Sequence, residues 1–214
     1  MRENLEIAIL LFKNFEALDV FGPYEVLSKI PNSKIFFVAE KVGIYKDVKE
    51  LKITADYSIN DLKNPDILVI PGGFGIDSIL NNILINNWIK DVHKTSIWTV
   101  SVCSGALLLG SAGLLKELKA TTHWNRKEQL AKYGAIIQNE RYVKDGKIIT
   151  SAGVSAGIDM ALFLLGFIVN ENFAKAVQLS MEYDPKPPFD CGIPEKAPKE
   201  ILNKITQKNV ADHK

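Results

Sequence analysis

The cysteine at position 103 lies between a strand-like segment and a helix-like one. Its surroundings read Ser-Val-Cys-Ser-Gly-Ala over residues 101–106, and three leucines follow. Small residues beside a nucleophile are typical of a nucleophile elbow, a sharp and strained turn that exposes the reactive side chain. The N–H groups and dipole at a helix start favour a thiolate and lower the thiol pKa. We therefore interpret Cys103 as a reactive nucleophile, although a lone cysteine is more commonly a small buried apolar residue.

A glycine-rich turn follows another apolar run. Residues 71–75 are Pro-Gly-Gly-Phe-Gly, directly after the run 67–70. In an open parallel sheet, ligands bind at the carboxyl ends of strands, where glycines let the backbone approach them closely. Taken alone, a Gly-Gly pair is more often simply a turn. Beside the Cys103 elbow, we expect the N–H groups of Gly72 and Gly73 to face developing negative charge, as the donors of an oxyanion hole do. The run matches no dinucleotide or phosphate-binding fingerprint, so the sequence predicts no cofactor of that kind.

One acidic residue and one histidine could act beside Cys103. Asp19 follows the first apolar run and precedes Val-Phe-Gly-Pro, which places it at the same edge of the predicted sheet. From the residues alone, Asp19 is equally well a catalytic group or a helix cap. His123, in Ala-Thr-Thr-His-Trp, could approach Cys103 but is interpreted first as a member of a hydrogen-bond network.

The remaining histidines and the second cysteine suggest no chemistry. His93 and His213 are interpreted as surface residues, and Cys191 lies in a proline-rich segment with no supporting motif. No spacing of cysteine, histidine or carboxylate residues suggests a metal site, so we expect none.

Apolar runs and helical patterns alternate along the chain. Runs at residues 7–12, 34–39, 67–70 and 97–102 are typical of strands covered on both faces. Helices are predicted from Gly22-Pro23, around residues 81–94 and just after Cys103. This alternation predicts an α/β fold with a doubly wound, mostly parallel sheet.

The second half of the chain contains three further features. Residues 142–150 predict a hairpin beside the main sheet, because Asp-Gly at 145–146 is a strong turn signal. Residues 158–169 form a helical pattern that is apolar all round, which predicts burial between layers or at a subunit contact. The proline-rich tail from about residue 185 to residue 198 is expected to lack regular structure.

Length and charge narrow the classes of function. A chain of 214 residues is the size of one domain, and we treat residues 1–214 as one. The 26 basic and 25 acidic residues nearly balance and form no patch, which argues against nucleic acid and favours small-molecule partners. No apolar stretch approaches the roughly 20 residues of a membrane span, and no secretory signal is evident. With only two cysteines, in different contexts, we expect no disulfide framework and a cytoplasmic protein.

Five segments, in order, resemble the ThiJ/PfpI superfamily over about residues 5–185. They are Asp-Val-Phe-Gly-Pro at 19–23, Val-Ile-Pro-Gly-Gly at 69–73, Val-Cys-Ser-Gly-Ala at 102–106, Ala-Thr-Thr-His-Trp at 120–124 and Thr-Ser-Ala-Gly at 150–153. The first and third segments, with Met-Glu-Tyr-Asp-Pro at 181–185, resemble the isonitrile hydratase branch most. The resemblance implies a flavodoxin-like sheet of the class I glutamine amidotransferase type and a homodimer.

The resemblance also implies roles for single residues. Cys103 matches the nucleophile of that branch, Asp19 its acidic partner, and Ser104 a hydroxyl residue that is threonine in the characterised enzyme. Gly72 and Gly73 match backbone donors, and Gly153 matches a small residue beside the active-site helix. The superfamily's protease branch has histidine directly after the cysteine. Ser104 occupies that position here, so a Cys-His peptidase lacks its general base.

The implied reaction adds water to an isonitrile. The terminal carbon must gain a nucleophile and a proton, which Cys103 and a protonated Asp19 would supply. A thioimidate would form, and its hydrolysis would release an N-substituted formamide. Asp19 would act first as acid and then as base.

Three alternatives use the same residues differently. A redox or stress-response protein would sense oxidants through Cys103. A glyoxalase or deglycase would act on reactive aldehydes. A ligand-binding module like the sensory half of AraC-type regulators is the third, although residues 1–214 leave no room for a helix-turn-helix pair.

Overall fold

The computed structural model describes residues 4–211, with side chains through residue 206. The strands, in chain order, are β1 (Glu6–Leu10), β2 (Lys34–Ala39), β3 (Gly43–Lys46), β4 (Lys52–Ala55), β5 (Tyr57–Ser58), β6 (Ile67–Ile70), β7 (Trp98–Ser101), β8 (Lys119–Ala120), β9 (Ile136–Ile137), β10 (Tyr142–Asp145) and β11 (Ile148–Ser151). The helices are α1 (Ala17–Leu27), α2 (Ile76–Ile79), α3 (Ile83–Thr95), α4 (Gly105–Ser111), α5 (Lys127–Ala131), α6 (Ala156–Ile168), α7 (Glu171–Ser180) and α8 (Lys199–Ala211).

A seven-stranded sheet organises the described part of the chain. Its strand order is β10-β11-β7-β6-β1-β2-β5, and every neighbouring pair is parallel except β10 with β11. All four residues of β6 and of β11 are buried, as are the last four of β1. Helices covering both faces require such continuous apolar strands, so the predicted flavodoxin-like, mostly parallel α/β fold is confirmed.

The parallel register brings four chain segments to one edge. β11, β7, β6 and β1 are adjacent and parallel, and Ile70 at the end of β6 pairs with Ser101 at the end of β7. The segments that follow these strands carry Asp19, in the first turn of α1, and Gly72, Cys103 and Gly153, in loops. Because the carboxyl ends of parallel strands face the ligand crevice, this edge is where a site should form.

The first helix begins earlier than its proline suggested. We expected a start at Gly22-Pro23, but α1 begins at Ala17 and contains Pro23. Proline removes one internal helix hydrogen bond, a loss that packing can offset. Here α1 packs closely on α6, since a Cβ on Gly22 would lie 3.1 Å from Ile158 Cγ1.

Two other features differ in part from expectation. The hairpin of β10 and β11 is present, but β11 also pairs with β7, so it belongs to the main sheet rather than beside it. The apolar helix α6 packs against α1 and α7, whereas Phe167 on its outer side stays 51% exposed. The expected burial between layers is confirmed for the side of α6 that packs on α1 and α7, and a subunit contact at its outer side stays a prediction.

Three other expectations have mixed outcomes. Residues 185–198 contain no helix or strand, as expected. The helix that follows them, α8, was not predicted from the sequence. His93 is half-buried rather than superficial, because its Nδ1 lies 2.9 Å from Thr99 Oγ1 on β7. His213 lies outside the described residues. None of the helices in the described part of the chain is long and apolar enough to span a bilayer.

Gly105, the first residue of α4, fits against the end of β6 only because it has no side chain. A Cβ there would lie 2.2 Å from the carbonyl oxygen of Ile70. We predict that Gly105→Ala lowers the free energy of unfolding by about 1–3 kcal/mol, as overpacking does. Urea denaturation measures the change.

Gly166→Ala is the matched control. Gly166 lies in α6, and no atom outside its own neighbourhood is within 4 Å of a Cβ placed there. Alanine should therefore stabilise the helix by up to about 1 kcal/mol. Equal effects of the two substitutions would contradict the packing argument.

Candidate active site

The backbone at Cys103 adopts the strained turn of a nucleophile elbow. Its φ is +56°, a left-handed value that non-glycine residues rarely adopt. The N–H of Cys103 donates to the carbonyls of Ser151 and Ala152, both at 3.1 Å, and Thr122 Oγ1 donates to the Cys103 carbonyl at 2.8 Å. These bonds, to the end of β11 and to the segment after β8, hold a conformation that the local sequence alone would not favour.

Asp19 lies beneath the cavity next to the sulfur. Its side chain is fully buried, and Oδ2 accepts a hydrogen bond from the Gly72 N–H at 2.9 Å. Oδ1 has no hydrogen-bond partner in the described part of the chain. Burial raises the pKa of Asp19 well above its usual range, the Gly72 N–H opposes this, and the nearby Glu16 carboxyl raises the pKa further. The carboxyl therefore holds its proton to higher pH than an ordinary aspartate.

The Cys103 thiol also holds its proton more tightly than usual. Burial raises the pKa of Cys103, and the neighbouring Asp19 raises it further. The N–H groups of Val154 and Ser104 hydrogen-bond the sulfur and lower its pKa, but burial outweighs them. The expectation of a lowered thiol pKa is therefore wrong: the Ser104 N–H at the start of α4 does lower the pKa, but Cys103 is only 7% exposed and burial has the larger effect.

Val154 supplies one of these N–H groups from a strained backbone. Its φ is +36°, an unusual value for a β-branched residue. Such strain persists where the surrounding structure fixes it and is common at functional sites. The neighbouring Gly153 leaves room for the His123 ring, since a Cβ there would lie 2.5 Å from its Cδ2.

Ser104 and the glycine turn fit together without spare space. The Gly73 N–H donates to Ser104 Oγ at 3.1 Å. A Cβ on Gly72 would lie 2.6 Å from the Ser104 nitrogen and 2.9 Å from Asp19 Oδ2. Glycine at position 72 thus allows the turn to approach both side chains. The N–H groups of Gly72 and Gly73 both have protein acceptors, and their role as oxyanion donors stays a prediction.

His123 lies at the wall of the site. Its ring interacts through Nδ1 with Asn125 and lies 5.4 Å from the Trp124 ring, centroid to centroid. Burial lowers the pKa of His123, which favours the neutral imidazole. The hydrogen bonds of the His123 ring are thus local, to Asn125 two residues on, rather than part of a tertiary network.

A cavity of about 280 Å³ opens over the sulfur. Its lining includes Cys103, Ser104, Gly73 and His123, as the sequence suggested, whereas Asp19 does not line it. Sequence reasoning missed the other lining residues, which are Glu16, Phe74, Trp124, Asn125, Arg126, Val154 and Ile205. The sequence could have indicated two of them, because Glu16 is three residues from Asp19 and Phe74 lies within the glycine-rich turn.

The cavity combines apolar walls with a fixed ion pair. Arg126 donates to the carboxylate of Asp77 at 2.8 Å, which ties the turn after His123 to α2. Among the described residues, no group of three or more His, Cys, Asp and Glu side chains is arranged to hold a metal ion. The walls can take a small organic molecule, with the Cys103 sulfur in the lining and the buried Asp19 behind it.

Two features define the class of protein. One is the flavodoxin-like sheet, and the other is a buried cysteine at a strand-to-helix turn beside a carboxyl group with a raised pKa. Residues 5–166 match the DJ-1/PfpI family, and the chain belongs to that family.

Individual relatives cover most of the chain. It is 35% identical to the isonitrile hydratase of Pseudomonas putida over 204 residues, covering 95% of this chain and 90% of that protein. The crystal structure of a ThiJ/PfpI family protein from Pseudomonas syringae matches with a TM-score of 0.90 and 32% identity, over 98% of this chain and 90% of that one. A glutathione-independent glyoxalase of Caenorhabditis elegans, DJR-1.2, is 25% identical over 60% of this chain and 70% of its own length.

The raised pKa of Asp19 links its protonation to stability. Its folded-state pKa lies above the ordinary 3.8, so the fold loses stability as pH rises through the window between the two values. Asparagine cannot titrate and still accepts the Gly72 N–H. We predict that the stability of Asp19→Asn relative to wild type increases as pH rises above 3.8, because only the wild type must ionise the buried carboxyl group.

Urea unfolding of both proteins at several pH values tests this. A stability difference that stays constant with pH would show that Asp19 titrates normally in the folded protein.

Proposed function

We propose that the protein hydrates isonitriles to N-substituted formamides. The observation that carries the proposal is the buried pair of Asp19 and Cys103, each of which shifts the pKa of the other, beside a cavity that reaches the sulfur. The 35% identity to the isonitrile hydratase of Pseudomonas putida, over 95% of this chain, supports the same reaction.

The first half of the reaction suits a neutral pair. Cys103 sulfur bonds to the terminal isonitrile carbon, and the Asp19 carboxyl gives that carbon its proton. The thiol proton passes to Asp19, which is again protonated when the thioimidate, with an N=CH–S linkage, is complete. Because both pKa values are raised, both protons that this exchange needs are held in the site.

The second half releases the product. Water attacks the thioimidate carbon while Asp19 protonates the nitrogen. One proton of the added water then passes to Asp19, the C–S bond breaks with its electron pair on sulfur, and the formamide leaves as sulfur takes the other water proton. Asp19 is thus acid first and base second.

In this reaction Ser104 and the two glycines would hold the reacting groups in position. The Ser104 hydroxyl holds the Gly73 N–H, and the Gly72 N–H orients the Asp19 carboxyl. An oxyanion forms only briefly in hydration, so the backbone donors matter less than in acyl transfer.

The alternatives differ in what supports them. Peroxide oxidises thiolates in accessible positions, whereas the Cys103 thiol is buried with a raised pKa, which disfavours a redox sensor. Glyoxalase activity draws support from the similarity to the glyoxalase DJR-1.2 and is the second candidate. A small-molecule substrate without a cofactor, a homodimer and a cytoplasmic location stay predictions.

A direct assay tests the reaction. We predict that purified protein converts phenyl isonitrile to N-phenylformamide, and that Cys103→Ala abolishes this conversion because no thioimidate can form. Liquid chromatography with mass detection measures the product. Methylglyoxal consumption without formamide would instead favour the glyoxalase. Selective oxidation of Cys103 by mild peroxide without isonitrile turnover would favour the sensor.

The role of Asp19 has its own test. We predict that Asp19→Asn lowers formamide production by at least about 100-fold, because the amide cannot transfer a proton to carbon. Cys103 should still react with a small alkylating agent, which mass spectrometry detects. Unchanged turnover in this variant would refute the proton-transfer role.

A further inference from the structure

The attacking water needs a base that faces the cavity. Asp19 is fully buried and does not line the cavity, so it lies behind the reacting atoms rather than on the side that solvent enters. Glu16 lines the same cavity as Cys103 and is the carboxyl-bearing residue among those that do. We propose, on the basis of the hydration proposed above, that Glu16 is the general base that deprotonates the water attacking the Cys103 thioimidate.

The backbone fixes Glu16 against the glycine turn. Its N–H donates to the Gly72 carbonyl at 2.8 Å, and the Gly72 N–H in turn binds Asp19. A Cβ on Gly73 would lie 2.5 Å from the Glu16 nitrogen, so this turn lies directly on Glu16. Glu16 precedes α1 in an extended conformation, and its side chain does not cap that helix. The carboxyl group is therefore not committed to the helix end.

Electrostatics assign different roles to the two carboxyl groups. Burial raises the pKa of Glu16, as does the nearby Asp47, and a carboxylate with a raised pKa is a stronger base. Burial raises the pKa of Asp19 well above its usual range, and Glu16 raises it further. A charge on Glu16 thus helps Asp19 to keep its proton. Two carboxyl groups in environments of different depth are a common arrangement for an acid and a base.

His123 is the other cavity residue that could accept a proton. Its Nδ1 interacts with Asn125, and burial lowers its pKa, which weakens it as a base. The same burial that weakens an imidazole base strengthens a carboxylate base. The comparison therefore favours Glu16.

The proton balance closes with Glu16 in this role. The water oxygen bonds to the thioimidate carbon, one water proton goes to Glu16, and the nitrogen takes the Asp19 proton. The remaining hydroxyl proton then goes to Asp19 as the carbonyl forms. The C–S bond breaks with its electron pair on sulfur, which takes the proton from Glu16. The products are the formamide, a neutral thiol, a protonated Asp19 and a charged Glu16.

Single-turnover kinetics separate the two halves of the reaction. Protein is mixed with phenyl isonitrile, quenched at intervals, and the Cys103 adduct is followed by intact-protein mass spectrometry. For Glu16→Gln we expect adduct formation within about threefold of wild type and adduct decay slowed by about 100-fold or more, the usual loss on removing a general base. The adduct should therefore accumulate in this variant.

Matched variants provide the controls. Glu25→Gln makes the same change at an exposed position of α1 and should leave both rates unchanged. His123→Gln should slow decay less than Glu16→Gln does. Glu16→Asp keeps a carboxylate on a shorter side chain, so its Cys103 adduct should decay faster than the adduct of Glu16→Gln. Circular dichroism confirms that each variant is folded.

Each other outcome overturns one proposal or both. Absence of both adduct and formamide with wild type overturns the hydration and the role of Glu16 together. Wild-type turnover with unchanged decay in Glu16→Gln overturns Glu16 alone. Slow formation with normal decay also overturns it, because Glu16 would then act only on the charge of Asp19. Slow decay in His123→Gln alone would assign the base to His123.

Discussion

The buried contact between Asp19 and Cys103 is the interaction on which the site depends. Burial raises the pKa of both groups, and Asp19 raises the pKa of Cys103 further, whereas the hydrogen bond with Cys103 lowers the pKa of Asp19 without cancelling the effect of burial. The site therefore does not stabilise a resting thiolate. It is suited to exchanging protons between Asp19 and Cys103 while the sulfur forms a bond. The N–H groups of Val154 and Ser104 stabilise negative charge on sulfur as it develops.

Holding that pair in place constrains the backbone around it. The carboxyl ends of β11, β7, β6 and β1 meet because the strands are parallel and adjacent, and the site takes a segment from each. Two residues, Cys103 and Val154, have positive φ values, and Gly72 has no space for a side chain. The hydrogen bonds of the Cys103 N–H to Ser151, the last residue of β11, and to Ala152 show how one segment holds another in a strained conformation.

The success of sequence reasoning followed from how local each signal is. The sequence predicted β1, β6 and β7 because strands that are covered on both faces have continuous apolar sequences. The carboxyl ends of these strands then indicated where Cys103 and Asp19 lie. Long-range packing explains the errors. Proline at the first turn is a local preference, and the contact of α1 with α6 overrides it at Pro23. Ile205 reaches the cavity from a helix far along the chain. Whether the pKa of Cys103 is raised or lowered depends on how deeply the thiol is buried, and the local sequence motif does not reveal that depth.

A difference in depth at the start of α1 explains how one short segment can supply two kinds of carboxyl group. Glu16 directly precedes α1 in an extended conformation, and Asp19 lies three residues later, in the first turn of the helix. Asp19 points into the interior beneath the glycine turn, whereas Glu16 borders the cavity. The deeper group pays the larger desolvation cost for a charge and keeps its proton, while the shallower group carries the charge at lower cost. A difference in burial between neighbours is thus enough to separate proton donor from proton acceptor beside a single sulfur.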